Sequence, residues 1–190
     1  MRRIGAMVMA LALAGTAIGT AAATATAAPG GAARAAAACP TGWGSGLKGS
    51  PDSGAVPLSD IRTGRHDCYD RIVFDVPDGG DHLGYWVQYV DQLHQTGSGD
   101  VIPVSGGAIL AIRVAAPSYD PETGQVAYPG DVAEPLPGVN ISGYRTFRDT
   151  RFAGSFEGET QIGVGVRARL PFRVLQLPGR LIVDVAHSWT

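Results

Sequence analysis

The sequence predicts an all-β protein, folded as an antiparallel β-sandwich or open barrel of short strands. Apolar residues recur at every second position in several segments, which is the pattern of strands covered on one face. Turn residues separate these segments, and the chain holds 27 glycines and 13 prolines, which is high for a helical bundle. After residue 58 no segment carries a sustained helical stripe. About 130 residues are enough for one core of this kind.

The first 27 residues have the composition of a secretory signal peptide. Arg2-Arg3 precedes an apolar run from Ile4 to Ile18, and Ala25-Thr26-Ala27 supplies small residues for signal peptidase. A membrane anchor is the alternative, but Gly and Thr dilute the run and no stop-transfer charges follow it. A twin-arginine signal and lipidation at Cys39 are weaker alternatives. We therefore expect an exported protein without a membrane span in the mature chain.

Cys39 and Cys68 are the only cysteines of the chain. In an exported protein they have only each other as partners, and their spacing matches no zinc site. We therefore predict a disulfide. It would tether an extended arm without regular structure, within a linker and Gly/Ser/Pro-rich segment at residues 28–57, to a β domain at residues 58–188. Trp43, in this arm, would then bury its ring against the domain.

Six segments of the β domain read as strands. In the clearest one, apolar side chains from Ile162 to Leu170 alternate with glycine and arginine. Turn signals such as Asp78-Gly79-Gly80 and Pro178-Gly179 separate the segments. Residues 117–138 are rich in proline and acid, which predicts a long surface loop. The predicted strands are Tyr69–Val76, Tyr85–Val90, Ala108–Ala116, Gln161–Leu170, Phe172–Leu177 and Leu181–Val185.

Charge and motifs exclude several classes of function. Lys and Arg number 15 and Asp and Glu 17, so the chain is not a polybasic protein that binds nucleic acid or a membrane surface. No Gly-x-Ser-x-Gly or His-Glu-x-x-His motif occurs, and the four histidines stand alone. Glu157 with Glu159, or His66 with Cys68, are the weak alternatives for catalysis. We therefore expect no catalytic residue, no metal and no cofactor.

Two surface features are candidates for binding a ligand. The segment Arg62–Arg71 packs three arginines and two aspartates into ten residues, which indicates an anion or sugar patch or, alternatively, an ion-paired strand end. The second feature is a group of aromatic side chains that suit sugar rings or protein interfaces. Strand alternation places Trp86 on the face opposite Tyr85 and Tyr89, so part of this group belongs to the core. The candidate ligand-binding residues are Arg65, His66, Asp67, Arg71, Tyr85, Trp86 and Tyr89.

The end of the chain carries a family resemblance. Phe172–Leu177 is followed by a Pro-Gly turn and by Arg180-Leu181-Ile182-Val183-Asp184. This resembles the closing pattern of the AMIN domain, in which arginine, three hydrophobic residues and aspartate follow a Pro-containing turn. Over about residues 41–188 the chain resembles the actinobacterial AMIN-like secreted proteins more closely still. The other segments that carry this resemblance are Trp43-Gly44-Ser45, Gly64–Arg71, Gly84–Val90 and Phe156-Glu157-Gly158 with Gly163 and Gly165.

The resemblance implies a β-sandwich binding module and no catalyst. AMIN domains are non-catalytic parts of cell-wall amidases and secretins, which they localise on the envelope. We therefore expect a secreted, non-enzymatic module that binds peptidoglycan or another cell-wall glycan. The alternative is a protein–protein interaction module that docks an envelope protein, and a small wall hydrolase is a distant third. The resemblance transfers no catalytic residues and fixes no ligand-contacting ones.

Overall fold

A computed structural model describes Cys39, residues 42–52, Gly54 and residues 56–189. All regular secondary structure in this part of the chain is β-strand, which confirms the predicted all-β class. The described residues include no helix of the length and hydropathy that crossing a membrane requires. The predicted signal peptide at residues 1–27 lies outside the described residues.

Eleven strands are described, and nine of them form two antiparallel sheets. The five-stranded sheet has the order β1-β4-β7-β9-β8, the four-stranded sheet has the order β10-β11-β3-β2, and β5 pairs with β6 as a short hairpin. The strands are β1 Lys48–Ser50, β2 Asp60–Arg65, β3 Tyr69–Asp75, β4 Tyr85–Val90, β5 Leu93–His94, β6 Val101–Ile102, β7 Ala108–Val114, β8 Phe147–Phe156, β9 Glu159–Val166, β10 Phe172–Leu177 and β11 Arg180–Ala186.

The core lies between the two sheets. Alternation sends one row of each strand inward, so that Phe74, Leu110 and Ile162 are fully buried while their strand neighbours face outward. Burial of each such side chain contributes about 1.5–3 kcal/mol to folding. Phe147 at the start of β8 and Tyr128 in the loop at residues 117–138 complete the core. The core therefore depends on the period-two pattern visible in the sequence.

The structure differs from the sequence prediction at several strands. The strand predicted for Gln161–Leu170 ends at Val166, because the chain bends at residues 167–168. Strand β8 was not predicted, because two register shifts interrupt its alternation. Strand β2 was not predicted either, because it is a polar edge strand in which only Ile61 is buried.

The disulfide between Cys39 and Cys68 is present, with Cα atoms 5.3 Å apart. The arm it tethers is not wholly irregular, as the sequence predicted, since its residues Lys48–Ser50 form β1 and pair with β4. The edge of β4 explains this difference, because its unpaired backbone groups need hydrogen-bond partners. The carbonyl of Gly44 accepts a hydrogen bond from the Phe172 N–H at 2.9 Å. The arm thus contacts both sheets.

The β5–β6 hairpin covers one part of the outer face of the five-stranded sheet. Leu93 and Ile102 pack there with Ala153 in a second, smaller core. The approach is so close that a Cβ atom on Gly163 would lie 2.4 Å from a Leu93 methyl group, and one on Gly165 would lie 1.8 Å from a carbonyl oxygen. Glycine at position 163 therefore lets the hairpin dock, and glycine at position 165 makes room for Ser105 in the segment that follows the hairpin.

We predict that Cys39→Ser frees the arm but leaves the sandwich folded. The disulfide closes a loop with a sequence separation of 29. Its loss should lower the free energy of unfolding by about 3 kcal/mol, because the unfolded chain regains the entropy of that loop. Limited proteolysis followed by mass spectrometry should show new cleavage near Gly46–Gly54 in the variant. Protection of the arm equal to that of the unsubstituted protein would contradict the prediction.

Candidate functional site

An open groove of about 450 Å³ lies on the outer face of the five-stranded sheet, beside the β5–β6 hairpin. Its floor is a cross-strand row in which Trp86 of β4 lies opposite Arg113 of β7, and Arg113 lies opposite Gln161 of β9. These side chains face outward because their neighbours along the strands are buried in the core. Gln88 extends the floor in the next row. We call this surface the Trp86 groove.

The turn that connects β5 to β6 forms the wall of the Trp86 groove. The Thr96 N–H donates to the carbonyl of Ala153 at 2.8 Å, which fixes the turn to β8. The ring Nδ1 of His94 lies 2.9 Å from the carbonyl oxygen of Gly99. The Gln161 amide donates to the carbonyl of His94 at 3.3 Å and joins wall to floor. The groove is therefore shaped before any ligand arrives.

The chemistry of the Trp86 groove suits an uncharged polar ligand. Among the described residues, no acidic side chain lines it, and the Trp86 indole N–H has no hydrogen-bond partner. The amides of Gln88, Gln92 and Gln95 are also without partners in this part of the chain. Each amide offers both donors and an acceptor, and the indole offers an apolar face. Arg113 is the charged residue of the floor, and Glu159 pairs with it at 3.4 Å.

Tyr85 and Tyr89 do not join Trp86 in one site. As alternation predicts, both pack inward against the main core. The Tyr89 hydroxyl donates to the Leu170 carbonyl at 2.7 Å and accepts from the Leu170 N–H at 3.0 Å. Burial raises the pKa of Tyr89 to about 12. Its ring meets Phe172 edge to face, with centroids 5.8 Å apart. The structure thus gives Tyr89 a packing role.

Three of the other candidate residues lie together at one end of the four-stranded sheet. Arg65, His66 and Asp67 line an open cleft of about 430 Å³. Arg145 and His187 also line it, although they are far away in sequence and carried no signal that sequence reasoning could use. His66 stacks on Tyr69, with ring centroids 4.5 Å apart.

His187 and Asp70 form the base of this cleft. The ring of His187 bridges the carbonyl of Asp67 and the carboxylate of Asp70, at 3.1 Å in each case. The same buried carboxylate accepts the backbone N–H groups of Thr146 and Phe147. Both ring nitrogens of His187 are therefore engaged in holding the start of β8 against the Cys68 turn.

Arg71, the remaining candidate, is held by Asp184. Two nitrogens of Arg71 lie 2.6 and 2.9 Å from the Asp184 carboxylate, and Arg173 binds the same carboxylate at 2.8 Å. These hydrogen bonds raise the pKa of Arg71. The Trp43 ring covers Arg173, with 4.4 Å between the guanidinium carbon and the ring centroid, and it also contacts Tyr69. Arg71 therefore belongs to an ion-paired cluster that anchors the arm, which is the alternative that the sequence left open.

We predict that Asp184→Asn destabilises the protein by about 3 kcal/mol, because the substitution leaves two guanidinium groups without their carboxylate. The matched control is Asp75→Asn, which also removes a carboxylate shared by two arginines, Arg62 and Arg180. Those arginines are half exposed, so the control should cost less than about 1 kcal/mol. Urea denaturation measures both values. Equal losses for the two variants would contradict the dependence on burial.

We predict that Tyr89 contributes to the loss of stability in alkali. Its pKa in the folded protein is about 12, above the ordinary value of 10.0. The folded state therefore keeps a proton that the unfolded state releases, and stability falls as the pH rises from about 10 to about 12. In Tyr89→Phe, the free energy of unfolding should fall less steeply over this range. Equal slopes in urea denaturation at each pH would contradict the prediction.

One comparison with known proteins identifies a family. The model of the AMIN-like domain matches residues 56–187, which include ten of the eleven described strands, from β2 to β11. No curated protein and no solved structure matches the chain. An AMIN-like domain indicates a module associated with the cell envelope, and the disulfide is consistent with a location outside the cytoplasm. The chain belongs to the AMIN-like domain family.

Proposed function

We propose that this protein is a secreted, non-enzymatic module that binds the glycan of the cell wall, peptidoglycan, in the Trp86 groove. The observation that carries the proposal is the Trp86 indole, which lies in an amide-lined groove with its N–H unpaired in the described part of the chain. A pyranose ring has an apolar C–H face that packs on an indole, and hydroxyl groups that bond to amides.

An exposed aromatic side chain beside the groove supports a ligand longer than one sugar ring. Its volume of about 450 Å³ falls within the usual range of small-molecule sites, which is about 300–1,000 Å³. Phe156, which is exposed, lies beside Gly97 at the rim and adds a second aromatic surface. A glycan strand can therefore lie along the groove and contact both Trp86 and Phe156.

Secretion is supported by the composition of residues 1–27 and by the disulfide. A binding role without catalysis is supported by the way the chemically capable groups are used. Both ring nitrogens of His187 are hydrogen-bonded, one to Asp67 and the other to Asp70. Glu159 pairs with Arg113 and does not itself line the groove, so no pair of free carboxylates faces a glycan there. The described residues contain no cluster of three or more His, Cys, Asp or Glu that could hold a metal ion.

We predict that the mature protein pellets with purified peptidoglycan and that Trp86→Ala weakens this binding about tenfold. Loss of the indole face removes about 1.4 kcal/mol, which corresponds to that factor. The matched control is Trp189→Ala, because Trp189 is an exposed tryptophan outside the groove that bonds to the Arg169 carbonyl. The control should pellet like the unsubstituted protein.

Three results would count against the proposal, two against its function and one against its site. Recovery of the protein wholly in the supernatant at low salt would rule out wall binding. Release of muropeptides during overnight incubation with peptidoglycan would show a hydrolase. Equal pelleting of Trp86→Ala and the unsubstituted protein would keep wall binding and exclude the Trp86 groove as its site.

A further inference from the structure

The outer face of the four-stranded sheet carries a second concave surface, of about 320 Å³. Cross-strand pairing builds it from two rows. In one row Arg62 lies opposite Val73, and Val73 lies opposite Ile182; in the next row Arg71 lies opposite Asp184. Arg180 and Leu177 close it on the side of β10. We call this surface the arginine face.

On the arginine face, the arginine side chains are more exposed than the carboxylates with which they pair. Arg62 and Arg180 share Asp75, just as Arg71 and Arg173 share Asp184. The Asp184 side chain is 0 % exposed and that of Asp75 is 16 % exposed, whereas those of Arg62 and Arg180 are 51 % and 54 % exposed. The exposed acid on this side of the sheet is Asp60, at the start of β2. A ligand on this face therefore contacts the guanidinium groups of Arg62 and Arg180, which still have N–H groups available to donate hydrogen bonds.

The floor between these arginines is aliphatic. Val73 and Ile182 form the base, and Leu175 and Leu177 of β10 stand exposed beside them. Among the described residues that line the cavity are three arginines and His66, and none is acidic. Guanidinium groups bind carboxylates in a bidentate fork, and aliphatic side chains cover the strip between them.

We propose that the arginine face binds an extended acidic peptide in which carboxylates and aliphatic side chains alternate along one side of the peptide, at every second residue. Charge complementarity selects this occupant. The linker of this chain does not match it, since residues 28–38 contain Arg34 and no acid. The proposal is independent of glycan binding, because the Trp86 groove lies on the other sheet and faces the opposite side of the sandwich.

The test is fluorescence anisotropy of a labelled peptide with the repeat Glu-Ala-Val-Ala, titrated with the mature protein at low salt. Glu and Val share one side of this peptide when it is extended. The matched peptide control replaces each Glu by Gln. Arg62→Gln/Arg180→Gln should weaken binding of the acidic peptide about tenfold, whereas Arg167→Gln, which removes one exposed guanidinium that bonds to the His187 carbonyl, should not. Raising the salt to about 1 M, where charges are screened beyond about 3 Å, should weaken binding severalfold.

Three results would overturn the proposal. The first is no saturable binding of the acidic peptide, or equal binding of the Gln peptide. The second is an affinity of the double variant for the acidic peptide equal to that of the unsubstituted protein. If circular dichroism shows that the double variant does not fold, the single variant Arg180→Gln takes its place. The third is self-association of the peptide-free protein in sedimentation that the Arg180→Gln substitution abolishes, which would assign the arginine face to a second copy of the chain.

Discussion

The ion pairs of the buried Asp184 carboxylate are the interaction on which the outer face of the four-stranded sheet and the arm depend. It lies on the outer face of a sheet, yet its side chain is 0 % exposed. A charge without water must be compensated by hydrogen-bonded partners, and Arg71 and Arg173 supply them from the strands on either side. The Trp43 ring then covers Arg173, and the disulfide keeps Trp43 near that position. The arm and strands β3, β10 and β11 thus form one cluster.

The two outer faces of the sandwich differ although the inner faces are alike. Both inner faces are rows of aliphatic and aromatic residues, as any sandwich core requires. On the five-stranded sheet, the β5–β6 hairpin docks where Gly163 leaves space, and its turn forms the wall of an amide-lined groove. On the four-stranded sheet, paired arginines cover an aliphatic floor. The chemistry available to ligands therefore comes from residues that the core does not constrain.

Local patterns in the sequence were sufficient for most of the fold and for little of the candidate site. Alternation alone predicted the bounds of β4 and β10 and separated Trp86 from Tyr85 and Tyr89. The two bulges of β8 hid its period, and Arg71 and Asp184 are separated by 113 residues, so nothing local indicates their pairing. The wall of the Trp86 groove is a turn whose position depends on tertiary hydrogen bonds such as that of Thr96. Sites of this kind depend on which strands become neighbours, and that information is not local.

A module with two different ligand surfaces on opposite sides gains from a target that carries both ligands. The Trp86 groove and the arginine face look in opposite directions, so one sugar ring cannot occupy both. When one surface is bound, however, any tethered second ligand within reach is presented at an effective concentration in the millimolar range for a short link. With both proposed ligands bound, two open surfaces would together give firm retention without a deep pocket in either sheet. Shallow, preformed surfaces such as those of the two sheets suit bivalent binding, because neither surface then needs high affinity by itself.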